Sequence, residues 1–254
     1  MSPFLASGLV VGACVFLIWL VSLKLNDASI ADIWWGPGFA VIAWVGSQLQ
    51  GVYSHRLLVV QILLTAWGLR LGLHLGRRNW GQDEDRRYQA MRDKSDHFWL
   101  LSLFKVFLFQ GAIQLAVSAP VFGMLGSTKT LGPLDFLGLA IALAGIVIEG
   151  VADHQLTHFL RNPKNKGKVM DQGLWAWSRH PNYFGNSLIW LGIGLAGLSA
   201  GASFWTLLGP ALMLFLLLKV SGVSMLESTI TGRRPDYQEY CERVPAFFPL
   251  PPRG

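Results

Sequence analysis

The chain has 254 residues, 52% of them hydrophobic and 14% charged, with mean hydropathy +0.40 and a formal net charge of +6. Soluble domains carry about 25% charged residues, so this composition excludes an ordinary water-facing domain. It also removes the usual reading of a basic protein as a nucleic-acid binder, because membrane topology explains the positive charge.

The first apolar run, PFLASGLVVGACVFLIWLVSL (Pro3–Leu23), exceeds the roughly 18 residues that mark a spanning helix. It lacks a basic leading segment and is longer than the ~7–15-residue apolar core of a secretory signal, so it is read as a retained helix. Further hydrophobic segments follow at about 33–51, 57–76, 98–125, 134–158, 183–199 and 202–220. The expected fold is all-α, a single polytopic membrane domain of seven transmembrane helices, and the 28 glycines suit helices that approach closely. Cys14 and Cys241 lie far apart in sequence, which argues against a disulfide framework or a cysteine metal site.

Lysine and arginine predict the orientation, because short loops rich in them stay cytoplasmic. Arg77–Lys94 holds six, Arg161–Arg179 five, and Lys219 to the end five, against only Arg56 and Lys129 on the opposite side. Seven spans then leave the N-terminus outside and the C-terminus in the cytoplasm, with all three polar segments on one face.

Polar chemistry appears first in SIADIWWGPGF, where Asp32 stands beside Trp34 and Trp35. A carboxyl buried among aromatic rings favours its neutral form and becomes a candidate proton donor; the alternative is a helix N-cap with an aromatic belt. Arg70 and His74 share a face of the third span. GRRNWGQDEDRRYQAMRDKSD reads mainly as a solvated surface helix, with Arg77 and Tyr88 available to lean over a cavity. Its acids lack a histidine at ligand spacing, so a metal is not expected.

Glu149, Asp153 and Thr157 form an i, i+4, i+8 stripe that leads to Arg161. Ionisable groups within spans face polar interiors or cavities. Lys164, Lys166 and Lys168 surround Gly167 and suit either a polyphosphate or anionic lipid. In SRHPNYFGN, Pro181 fits a first helical turn, whose free N–H groups attract anions, and Arg179 and His180 stand beside it. Tyr183 follows Arg179 by four residues. Asn182 and Asn186 share one helix face and need partners at that depth, which points to a ligand site rather than an interfacial anchor. The tail LESTITGRRPDYQEYCERVPAFFPLPPRG offers Glu227, Arg234, Tyr237, Tyr240 and Arg243 as a lid with stacking faces. No glycine-rich phosphate loop follows a strand, so a nucleotide has to sit among helices.

The pieces SIADIWWGPGF, WGLRLGLHLGRRNWGQDEDRRY, ADHQLTHFLRNPKNKGKVMDQGLWAWSRHPNYFGN and RRPDYQEYCERVPAFFPL together resemble the steroid 5α-reductase-like family, in its bacterial DUF1295 branch. The resemblance implies a seven-helix membrane enzyme with NADPH among its C-terminal helices (about 131–254) and substrate-side helices over about 1–130. Asp153, Lys168, Asn182 and Asn186 match the cofactor-contacting motif, with Asn186 standing where the family has glutamate. Arg161 aligns with the family arginine after the fifth helix if one residue is inserted. The Gln-Glu pair and the tyrosine that polarise a steroid ketone are absent; Asp32, Trp34 and Trp35 stand near the first, and Trp67 near the second.

The resulting expectation is an NADPH-dependent reductase of an activated C=C bond in a steroid-like or other lipophilic enone, in a bacterial inner membrane. Arg161, Lys166, Lys168 and Arg179 would neutralise phosphates. Asp32 or His74 would stabilise the developing oxyanion, and the aromatic tail would exclude water. RHPNYFG is also similar to isoprenylcysteine methyltransferases, so an S-adenosylmethionine-dependent methyltransferase is the first alternative. A lipid-binding or transport scaffold is the second.

Overall fold

In a computed structural model the described residues are 1–49, 54–220 and 236–251, and among them there are helices and no strand. They divide into two compact units, the first made of Met1–Gly132 with Ala196–Thr206, the second of Pro133–Leu195 with Leu207–Gly254.

Unit 1 opens with α1 (Pro3–Leu25). Ser2 caps it through an Oγ that accepts from the Leu5 amide, Pro3 occupies its first turn, and Asn26 ends it in the left-handed conformation. Next come α2 (Ile30–Gln48), α3 (His55–Asn79) and the short α4 (Arg86–Arg92). α5 covers Phe98–Val117 with a π-helical stretch at Leu103–Leu108, and α6 is Ala119–Met124. The single apolar segment expected at 98–125 is therefore two helices. The break falls at Ser118, where Pro120 lacks the N–H that would continue α5.

α2 and α3 touch backbone to backbone. A Cβ built on Gly36 would sit 2.7 Å from the Gly68 carbonyl oxygen, so only glycine fits. Polar bonds reinforce the pair: Trp44 Nε1 donates to Thr65 Oγ1 at 2.9 Å, and Gln61 Nε2 to Ala43 O and Ser47 Oγ at 3.1 and 2.7 Å. Trp19 Nε1 ties α1 to the Trp99 carbonyl of α5. Arg56, expected on the same side as Lys129, is buried and donates to the carbonyls of Lys129 and Thr130.

Unit 2 contains α7 (Pro133–Arg161), α8 (Pro181–Ser199), whose last turn belongs to unit 1, α9 (Leu208–Phe215) continuing as a π-helical stretch to Val220, and α10 (Tyr237–Arg243). α7 and α8 run antiparallel along a seam of small residues. A Cβ on Gly145 would lie 2.5 Å from Gly185 O, and one on Gly192 would collide with Gly138 O.

Among the described residues four helices are long and apolar enough to cross a membrane: Pro3–Leu25, His55–Asn79, Phe98–Val117 and Pro133–Arg161. The other expected segments also exist as helices. However, α2 and α8 are 19 residues each and carry Asp32 and Pro37, or Asn182 and Asn186, while the apolar Phe204–Val220 stretch is shorter. The architecture is that of an all-helical membrane protein.

Candidate functional site

Some of the polar residues singled out in the sequence gather in two clusters, one in each unit.

In unit 2, the asparagines of α8 meet the acids of α7. Asn182 Nδ2 donates to Asp153 Oδ1 at 3.1 Å, and Asn186 Nδ2 donates to Glu149 Oε2 at 3.3 Å. The two rungs stack because both pairs are spaced i, i+4 on antiparallel helices. Asn182 and Asn186 thus find partners within the protein. One acceptor is left over: Asn186 is 6% exposed, and its Oδ1 has no hydrogen-bond partner among the described residues. Such an orphan costs about 1–3 kcal/mol unless a donor reaches it.

Pro181 is the first residue of α8, as its ring geometry favours. His180 is buried and stacks on Tyr183 with ring centroids 5.5 Å apart and planes 4° from parallel. Arg179 is engaged by the tail. Its Nη1 donates to the carbonyls of Cys241 and Val244, both at 2.9 Å, and its backbone N–H to Pro245 O. These carbonyls lie at the C-terminal end of α10, where a cation is favoured. Tyr237 and Tyr240 are likewise packed within the unit. Tyr240 Oη donates to Trp175 O at 2.6 Å, and burial, with the neighbouring Tyr237 next, pushes its phenol above the ordinary range. Trp175 Nε1 in turn donates to Ala152 O of α7. The tail segment, Gly173–His180 and α7 therefore form one packed body. Arg161, Lys166 and Lys168 are exposed, and Gly167 between the lysines has φ +83°, a turn conformation that suits glycine. Glu227 and Arg234 lie outside the described residues.

In unit 1, Asp32 is the third residue of α2 and does not cap it; the N-cap position is Ser29. The Asp32 carboxylate collects donors instead. Arg87 Nη2 lies 2.7 Å from Oδ2, Tyr88 Oη donates to Oδ1 at 2.7 Å, and Gln110 Nε2 approaches Oδ1 at 3.3 Å. Arg87 also grips Asp85, and Arg92 pairs with Glu84, whose Oε1 accepts from the Ala28 amide. The GRRNWGQDEDRRYQAMRDKSD run is exposed or half-buried along its length, as a solvated segment should be, except at Tyr88, which is 6% exposed and packs in the core with Val15, Ala31 and Phe107. Burial, then the charge of Asp32, pushes the Tyr88 phenol up, so it remains a protonated donor. Burial alone would raise Asp85, but hydrogen bonds from Arg87 outweigh it and hold the carboxyl below its usual value.

Trp35 stacks edge-on against Phe39, which leans on the fully buried Trp67. Trp34 keeps its Nε1 buried with no hydrogen-bond partner among the described residues. His74 is half-buried and Arg77 exposed. Sequence reasoning missed Arg87 and Gln110. The available signal was an Arg-Arg-Tyr run beside three acids, together with an amide inside an apolar span.

Residues 18–244 match the family described as Protein of unknown function (DUF1295). The uncharacterized protein C594.04c of Schizosaccharomyces pombe is 28% identical over 269 residues, covering 92% of this chain and 76% of that protein. No solved structure matches. With a family match over nearly its whole length, the chain belongs to the DUF1295 family, the steroid 5α-reductase-like branch that its motifs resemble.

Proposed function

We propose that the protein is an NADPH-dependent reductase of an activated C=C bond in a lipophilic, steroid-like molecule. In this reading it is a seven-span enzyme of a bacterial inner membrane, with the N-terminus outside and the C-terminal tail and cofactor mouth cytoplasmic. The observation that carries the reading is the buried, donor-less Oδ1 of Asn186, on the same helix face as Asn182; its partner Glu149 stands about three turns of α7 before Arg161, where the exposed cations begin.

These residues fit a dinucleotide. Asn186 Oδ1 requires an N–H or O–H from a ligand, which a carboxamide or ribose supplies. Arg161, Lys166 and Lys168 are exposed, as a phosphate site requires, whereas Arg179 holds the tail in place. The chemistry that NADPH supplies when bound is hydride donation to the β-carbon of an enone. Asp153 and Glu149 hold the two amides in register. In the first unit the Tyr88 hydroxyl is committed to the Asp32 carboxylate, which Arg87 also holds.

One observation favours the methyltransferase alternative. Carboxylates at Glu149 and Asp153 beside the amides would suit the sulfonium of S-adenosylmethionine. Titrating the purified protein with each compound by calorimetry separates the two. Saturable binding of NADPH, weakened at least tenfold in a Lys166→Ala/Lys168→Ala variant, is expected. Saturation by S-adenosylmethionine alone reverses the assignment, and binding of neither leaves the non-enzymatic scaffold.

A further inference from the structure

The C-terminal segment presents apolar side chains that neither cluster uses. Phe248 is 66% exposed, Leu250 55% and Trp177 47%. Leu250 and Trp177 are neighbours, because the Leu250 N–H donates to Trp177 O at 3.0 Å. The buried Phe247 meets Phe248 edge-on at 5.4 Å. Both rings lie against Phe184 in the first turn of α8, at 5.8 and 6.2 Å.

The height of this patch follows from α7. Every exposed side chain from Leu134 to Val151 is apolar, and His154 is the first that is not. That stretch rises about 26 Å, close to the roughly 30 Å of a hydrocarbon core. The edge of the apolar layer therefore falls between Val151 and His154. Trp175 Nε1 and Asn182 Nδ2 donate to Ala152 and Asp153 at that level. Phe184 lies two residues further along the antiparallel α8, about 3 Å deeper, and carries Phe248 with it. The backbone suits the same place. Ser178 Oγ donates to the Phe247 carbonyl, and Pro249 and Pro251 have no N–H to leave unmet.

We propose that Trp177, Phe248 and Leu250 form a foot set into the headgroup–acyl boundary of the bilayer at the polar end of α7. The partner is the lipid surface. The patch continues the apolar outer face of α7 at its edge, which selects lipid over a water-borne partner, and aromatic side chains favour this layer. The C-terminal segment is thereby tied to the membrane instead of standing free as a lid. This holds whatever ligand the second unit takes.

Electron paramagnetic resonance on the full-length protein in phosphatidylcholine nanodiscs tests this. In a Cys14→Ser/Cys241→Ser background, a nitroxide is placed at Phe248→Cys, and its collisions with oxygen and with a water-soluble nickel chelate are compared. Oxygen should dominate, at a depth of about 5–10 Å below the phosphates. A nitroxide at Glu239→Cys, an exposed position of α10, should meet the nickel chelate instead. Leu250→Cys should read the same depth as Phe248→Cys, and it decides the matter if the latter does not fold. Nickel access at residue 248 equal to that at residue 239 overturns the proposal, since the segment then stands in water. Shielding from both reagents overturns it too, because protein and not lipid then covers the rings.

Discussion

Gly185→Ala is expected to destabilise the protein by about 3 kcal/mol, at the upper end of the range for overpacking a tight interior. The added Cβ would lie 2.6 Å from Glu149 N and 2.7 Å from Gly145 O. Both obstacles are backbone atoms of a 29-residue helix, so no side-chain rotation relieves them, and α7 and α8 have to separate. Separation also breaks the Glu149–Asn186 and Asp153–Asn182 rungs, which makes the change cooperative. Thermal melting in detergent should fall by about 6–12 °C, taking 2–4 °C per kcal/mol for a chain of this size. Gly12→Ala is the control, since a Cβ there meets nothing within 4 Å; it should stay within about 0.5 kcal/mol of the wild type. Equal melting of the two variants would mean that the seam is not as tight as described.

Asp32→Ala should cost about 2 kcal/mol, because it leaves the buried Tyr88 hydroxyl without its acceptor. Arg87 keeps Asp85, and its side chain is 37% exposed, so the lost ion pair adds little of its own. Asp32→Asn should cost less, since an amide oxygen still accepts from Tyr88. The local readout is hydrogen exchange over residues 84–92, which should accelerate in Asp32→Ala as α4 comes loose. Exchange unchanged from the wild type would show that the network does not hold α4.

Much of this organisation was legible in the chain. Pro3 and Pro181 at the first turns, and the apolar runs behind them, placed α1 and α8 to within a few residues. The i, i+4 spacing of Asn182 and Asn186, and of Glu149 and Asp153, gave each stripe its face. Their mutual pairing was not legible, because helix periodicity says which residues share a face but not which helix lies opposite. The same limit hid Asp32 and Tyr88, which are 56 residues apart and joined by one hydrogen bond. Arg179 was assigned to phosphate on charge alone. Its use by the carbonyls of Cys241 and Val244 depends on a chain reversal that no local pattern encodes. The break at Ser118 was readable in Pro120 but was outweighed by the continuous apolar composition around it.

Hydrogen exchange of the full-length protein with and without saturating NADPH tests the central claim most directly. The account predicts slower exchange from Arg161 through Lys168 and in the first turns of α8, around Asn182 and Asn186, with S-adenosylmethionine leaving both unchanged. Exchange in those two segments that is indifferent to NADPH would contradict it.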